Sequence, residues 1–443
     1  MRASKQETQV AVVGGGFAGT MAAVQLARRG IAVVLIGRGS QIGKGVAYST
    51  EDTAHLLNIP AAKMSAWPDR PDDFVEAIAG AGLGPEDYVP RLLFGHYLRA
   101  ILDEAAVSLV NGDAVAAEPA TEGWTVRLAD GRAVTARALV LAPGNQPPDA
   151  LPFASGLPKA LFAGNPWDEA GQSAIARAVE TSGNVLAVGS GLTMIDVAMS
   201  LDAAGHKGKL AAVSRRGQRP RVSFPVRSEV PSSDSAPSGS LRDLWRWLRQ
   251  RTTEIDWRDA VDSVRPRTHE LWQSFSEADQ RRFMRHARPW WDVHRHRIAP
   301  QVGATIERMI ADGRLEVIAG RVQSMRAADG GLAVVIRRRG QDDNDLPRQF
   351  AVGINCTGPL HNIRHSQDPI LRSLLDAGLA EPDHLGIGFK VDETVRVVGA
   401  NRLWAMGSLG KARYWEIIAV PDIRGQAEMV AEAIAKELND GGH

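Results

Sequence analysis

The chain has 443 residues, enough for two or more domains that each bury a core. Its basic and acidic residues balance to a net charge of +1, so no overall field favours nucleic acid or an acidic membrane. A single cysteine, Cys356, excludes an internal disulfide and a C-x-x-C redox centre. With no leader-like segment and no apolar run of membrane length, the expected location is the cytoplasm.

The first predicted strand, 10–13, runs into Gly14-Gly15-Gly16-Phe17-Ala18-Gly19 and a helix over 20–29. This is G-x-G-x-x-G between a strand and a helix. The first glycine allows the tight turn and the second lets backbone approach a pyrophosphate. The third brings the helix close to the strand, and its N-terminal amides face the phosphates. A second strand over 31–36 completes the βαβ pattern. The fingerprint then calls for an acidic side chain to hold the adenosine ribose. The stretch reads Leu35-Ile36-Gly37-Arg38, so either backbone and Arg38 hold the adenosine end or the nucleotide sits more loosely there.

A short strand over 138–141 ends in Ala142-Pro143-Gly144. A strand over 184–188 then leads into a second turn, Gly189-Ser190-Gly191-Leu192-Thr193-Met194, with Met194 in place of the third glycine. The strand after it, 210–213, ends in Ser214-Arg215-Arg216. A hydroxyl and two guanidiniums at that place suit a ribose 2′-phosphate, which favours NADPH over NADH. The bland alternative is an exposed arginine pair.

The piece 228–299 exceeds a minimal nucleotide-binding domain. Its start, 228–240, is rich in Ser, Pro and Gly and is expected to be mobile. Helices are predicted over 241–251 and 277–296. Trp245, Trp247, Trp257, Trp272, Trp290 and Trp291 fall in this piece, six of the eleven tryptophans. They form either the core of a helical subdomain or the lining of a lid over a substrate pocket. His294 and His296 stand two apart and point to different sides of a helix, so no metal site is expected.

Ile354-Asn355-Cys356-Thr357-Gly358 repeats the small-residue strand end seen at 142–144. A last strand over 403–406 ends at Gly407-Ser408, and Pro421 opens a helix over 422–438. The reading is an α/β chain with two Rossmann-like domains. Residues 1–150 and 346–443 build the first, and 151–345 build the second with its helical insertion.

The chain resembles a bacterial family of FAD/NAD(P)-binding proteins. The resemblance rests on the first glycine turn, on Gly43-Lys44-Gly45-Val46-Ala47-Tyr48-Ser49-Thr50, and on His55-Leu56-Leu57-Asn58-Ile59-Pro60. Val89-Pro90-Arg91, the second glycine turn, and Trp291-Asp292-Val293-His294-Arg295-His296-Arg297 extend it, as do Asn355-Cys356-Thr357-Gly358 and Trp415-Glu416 through Arg424. The departure is Gly37, where the family is acidic. The family is similar to flavoprotein monooxygenases with separate FAD and NADPH domains, and some relatives N-hydroxylate amino acids. The resemblance therefore implies FAD, NADPH, molecular oxygen and a small amine or amino acid, hydroxylated through a C4a-hydroperoxyflavin. Near the flavin it implies Asn58, Lys63, Met64, Ser65, Trp415 and Glu416, with Pro421 and Ile423 at the helix start. Asn58 would meet nicotinamide or the oxygenated flavin, and Lys63 a substrate carboxylate. Trp415 would cover a flavin edge, and Glu416 would hold a substrate ammonium. Two alternatives stay open: an NAD(P)H oxidoreductase that reduces a quinone or a protein, and a non-catalytic nucleotide-binding redox sensor.

Overall fold

A computed structural model describes residues 5–223, 234–341 and 346–440. Positions 228–233 of the Ser/Pro/Gly-rich stretch lie outside the described residues.

The first sheet contains β1 (Lys5–Val13), β2 (Val33–Gly37), β3 (Ser108–Asn111), β4 (Ala114–Ala120), β5 (Gly123–Leu128) and β6 (Ala133–Leu141) in the order β3-β2-β1-β6-β5-β4. A late strand, Leu403–Ala405, pairs in parallel with β6. The central strands are parallel and the β4–β5–β6 edge is antiparallel. Val10–Val13 and Val33–Ile36 are buried on both faces, as covered parallel strands require. The helix Phe17–Arg28 packs against the helix Val420–Asp440. The last helix of the chain thus closes over the first.

The second sheet contains β7 (Phe162–Ala163), β8 (Val185–Val188), β9 (Leu210–Ser214), β10 (Leu315–Ala328), β11 (Gly331–Arg338), β12 (Arg348–Phe350) and β13 (Val352–Asn355) in the order β12-β11-β10-β9-β8-β13-β7. The strand Leu403–Ala405 is therefore β14. β12 and β13 belong to this second sheet, so the expected boundary at 345 falls too early. The chain returns to the first domain only after Asn355. Short strands that pair with distant partners carry no local mark of the sheet they join.

The insertion folds as short helices, among them Leu241–Glu254, Trp257–Ser263 and Thr268–Ser274. The helix expected over 277–296 is interrupted. Glu277–Arg282 and Arg288–Arg295 flank a π turn, Phe283–Ala287. Pro289 follows that turn and has no N–H to donate to the preceding turn, which accounts for the widening. Trp272 and Trp291 lie in the core of the insertion, whereas Trp290 is exposed.

Candidate functional site

The first glycine turn is dictated by contact. Gly14 has φ +118°, and a Cβ there would lie 2.0 Å from the Ala142 carbonyl oxygen. A Cβ on Gly19 would lie 1.9 Å from the Gly14 carbonyl oxygen. Gly16 caps the helix with no side-chain hydrogen bond, and the helix begins with Thr20 N–H donating to the Gly16 oxygen at 2.9 Å. The amides of Phe17, Ala18 and Gly19 precede that bond and have no intrahelical acceptor. This cradle fits a pyrophosphate. Around it, Ser408 Oγ donates to the Gly144 carbonyl at 2.7 Å, and Gly407 N–H donates to Gln426 Oε1 at 2.8 Å. The ends of β6 and β14 and the start of the last helix are thereby joined, Pro143, Pro421 and half-buried Ile423 among them.

At the adenosine end Arg38 is exposed and has a partner of its own. Its guanidinium is held by Asp113, a residue sequence reasoning missed. Gly39 N–H donates to Asn111 Oδ1 at 2.7 Å. Gly37 pairs in register with Asn111, so the carboxylate absent from β2 is present just beyond the neighbouring strand. A Cβ at position 37 would meet Ile42 Cγ1 at 2.9 Å, which explains the glycine. Met64 lies in the first-domain core and Ser65 is buried. Arg424 ties the Ser65 carbonyl to the last helix at 2.8 Å.

The second turn repeats the geometry. Gly189 has φ +117°, and a Cβ there would lie 2.1 Å from the Cys356 carbonyl oxygen. Gly191 caps the next helix, Leu192–Ala203, without a side-chain bond and has nothing within 4 Å of a built Cβ. Leu192 and Thr193 are half-buried, while Met194 lies in the second core. Ser190 Oγ donates to Ser214 Oγ at 2.7 Å, so these two hydroxyls brace the loop after β9. Arg215 is exposed and Arg216 half-buried, and neither has an ion pair among the described residues.

The two domains are clamped together. Arg91 binds Asp196 through two hydrogen bonds, 3.0 and 2.9 Å long. Beside them His55 Nε2 lies 2.9 Å from Ser200 Oγ, which donates to Asp52 Oδ2 at 2.6 Å. Leu56 and Tyr88 of the first domain pack into the core of the second. This assigns structural work to two motifs that the sequence left unexplained, the His55–Pro60 and Val89–Arg91 stretches.

Asn58 follows that clamp. Its amide is half-buried and makes no hydrogen bond among the described residues. Lys63 reaches water but faces the insertion. Desolvation lowers its pKa, Asp262 opposes the shift, and Arg265, Arg297 and Arg295 add to it. Arg297 pairs with Asp262, Arg265 with Asp422 at 3.8 Å, and Arg295 with Glu416 at 3.4 Å. Lys63 is the cation of this group that lacks an ion pair among the described residues. Glu416, the expected ammonium ligand, has partners from the insertion, while its Oε2 makes no hydrogen bond among the described residues. Trp291 Nε1 donates to its Oε1 at 2.8 Å and His296 Nε2 stands 3.5 Å away. Burial alone would raise its carboxyl pKa; His296, Arg295 and Trp291 outweigh that and hold it below the usual range. Glu416 also has φ +74°, a conformation costing a non-glycine residue about 1–3 kcal/mol. Trp415 is buried and stacks on Trp272 with centroids 4.9 Å apart, so the insertion occupies one face of its ring.

Residues 11–146 match the family described as FAD-NAD(P)-binding. No curated protein matches the sequence. In fold the chain is similar to an ornithine hydroxylase from Pseudomonas aeruginosa, with 16% identity, 98% of this chain and 100% of that one covered, and a TM-score of 0.66. It is similar to an ornithine N-hydroxylase from Kutzneria sp. 744, solved with reduced FAD, NADP+ and L-ornithine, at 15% identity, 98% and 100% coverage and a TM-score of 0.68. It is also similar to a bacillithiol disulfide reductase from Staphylococcus aureus, at 13% identity, 98% and 99% coverage and a TM-score of 0.59. Residues 11–146 therefore match an FAD-NAD(P)-binding domain, set in a chain with two Rossmann-like domains whose fold is shared with the two ornithine hydroxylases.

Proposed function

We propose that the protein is an FAD-dependent, NADPH-using oxidoreductase that N-hydroxylates a small amine bearing a carboxylate. The observation that carries this reading is the wall beside the flavin-binding loop. There Lys63, without an ion pair among the described residues, faces the arginines of the insertion, and half-buried Asn58, five residues before it, makes no side-chain hydrogen bond among them.

Bound flavin would supply the redox chemistry between NADPH and oxygen. The chain's own residues do the rest. The amides before Thr20 would hold the FAD pyrophosphate, and Gly191 leaves room for the adenosine-side phosphate of NADPH. Arg215 and Arg216 select the 2′-phosphate. Lys63 takes the substrate carboxylate, because the three neighbouring arginines already have carboxylate partners. Asn58 orients the amine. The buried group of Trp415, Trp272 and Phe283 keeps water from that side. The Glu416 carboxylate fixes Arg295 and His296 in place.

The test combines NADPH oxidation, oxygen uptake and product analysis on FAD-loaded protein with amino acids and their decarboxylated amines. One hydroxylamine formed per NADPH, with Lys63→Met weakening the amino acid far more than the amine, supports the reading. NADPH oxidation that yields only peroxide, or that reduces a quinone whichever amine is added, assigns an electron-transfer oxidoreductase instead. FAD binding without any NADPH oxidation assigns the redox sensor.

A further inference from the structure

A small cleft lies where the two domain crossovers meet, lined by Asn145, Gln146, Arg288, His361, Ser408 and Lys411 among others. Three separate parts of the chain build it. Asn145 and Gln146 follow Gly144, and His361 follows the Cys356 carbonyl on which Gly189 rests. Arg288 comes from the insertion, just after the π turn. A hydrogen bond from Leu360 N–H to the Gln146 carbonyl at 3.3 Å fastens the crossovers to each other.

The cleft is rich in donors and in positive charge. Arg288 shares Asp292 at 3.2 Å. Lys411 makes no ion pair among the described residues, and its ammonium lies 4.9 Å from the centroid of Trp415. Desolvation in the cleft, then repulsion from Arg288 and Lys411, pushes the His361 imidazole down to about 4; Arg215 adds to the repulsion. Positive charge therefore extends from Arg215, at the end of β9, to Lys411, behind the first glycine turn. The cleft volume is about 40 Å³, room for roughly three waters.

We propose that Arg288, Lys411 and the amides of Asn145 and Gln146 form a second phosphate site for NADP(H), one that receives the phosphate on its nicotinamide side. This rests on the NADPH reading above. The adenosine half is already provided for by Gly191, Arg215 and Arg216. The nicotinamide half must cross from that turn towards the flavin, and the cleft lies between the two. Because Arg288 belongs to the insertion, the insertion is part of the nicotinamide site, and bound NADP(H) ties all three parts of the molecule together.

The experiment titrates FAD-loaded wild type, Lys411→Gln and Arg288→Gln with NADP+ and with adenosine 2′,5′-bisphosphate, which lacks the nicotinamide half. Each variant is expected to bind NADP+ about tenfold or more weakly, the scale of a hydrogen bond to a charged group, with the bisphosphate unchanged. Unchanged NADP+ affinity overturns the proposal, and so does an equal loss for both ligands. Wild type that binds neither ligand overturns the NADPH reading itself. Unaltered bisphosphate affinity and flavin spectrum also show that each variant is folded, and Lys411→Gln decides the matter where Arg288→Gln misfolds.

Discussion

The two glycine turns are built alike at the strand and differently in the helix. Gly14 and Gly189 have nearly the same positive φ, and each is pressed on a crossover carbonyl, of Ala142 and Cys356 respectively. The turns diverge five residues on. Gly19 brings its helix against the Gly14 carbonyl, whereas Met194 puts a long side chain into the second core. The strand-side glycine is what the close approach of the crossover carbonyl requires. The helix-side glycine is needed only where helix and strand touch.

The comparison breaks most readily at the strand-side glycines. Gly14→Ala is expected to cost at least about 3 kcal/mol, from unfavourable φ and a backbone clash together, and to yield protein without bound flavin. Gly189→Ala carries the same local strain but should keep its flavin and lose reduction by NADPH. Flavin absorbance and thermal melting of both variants check this, and equal flavin loss in the two would mean that the turns do not serve separate nucleotides. Next in size, Arg215→Ala with Arg216→Ala should raise the NADPH Michaelis constant by about tenfold to hundredfold and leave that for NADH nearly unchanged. Equal effects on both would remove the 2′-phosphate assignment. The smallest effect separates binding from stability. Gly16 and Gly191 have ordinary negative φ and space beside them. Alanine at either should shift stability by no more than about 0.5 kcal/mol while weakening its own nucleotide, as melting curves and titrations would show.

The turns were legible because their chemistry is local: an apolar strand, glycines at set spacing, and a helix. The same holds for the strand ends at Ala142, Gly358 and Gly407. What escaped was non-local. β13 pairs with β8 and β7 across more than a hundred residues, so its sheet could not be read from its own four residues. Asp113 is near Arg38 only because β3 lies beside β2. Glu416 looked free because its partners, Trp291, Arg295 and His296, arrive from the insertion, and its positive φ leaves no trace in the sequence. His55 and Arg91 were noticed as motif residues, but their partners Asp196 and Ser200 lie on a helix of the other domain.

That clamp has a thermodynamic consequence. The first domain inserts Leu56 and Tyr88 into the core of the second, so neither can open without exposing apolar surface of the other. A ligand that binds one folded domain therefore stabilises both, by RT ln(1 + [L]/Kd). NADP+ should slow the escape of FAD although the two occupy different turns, and the chain should melt in one transition. Removal of Arg91, which leaves Asp196 without its partner, would lower that single transition.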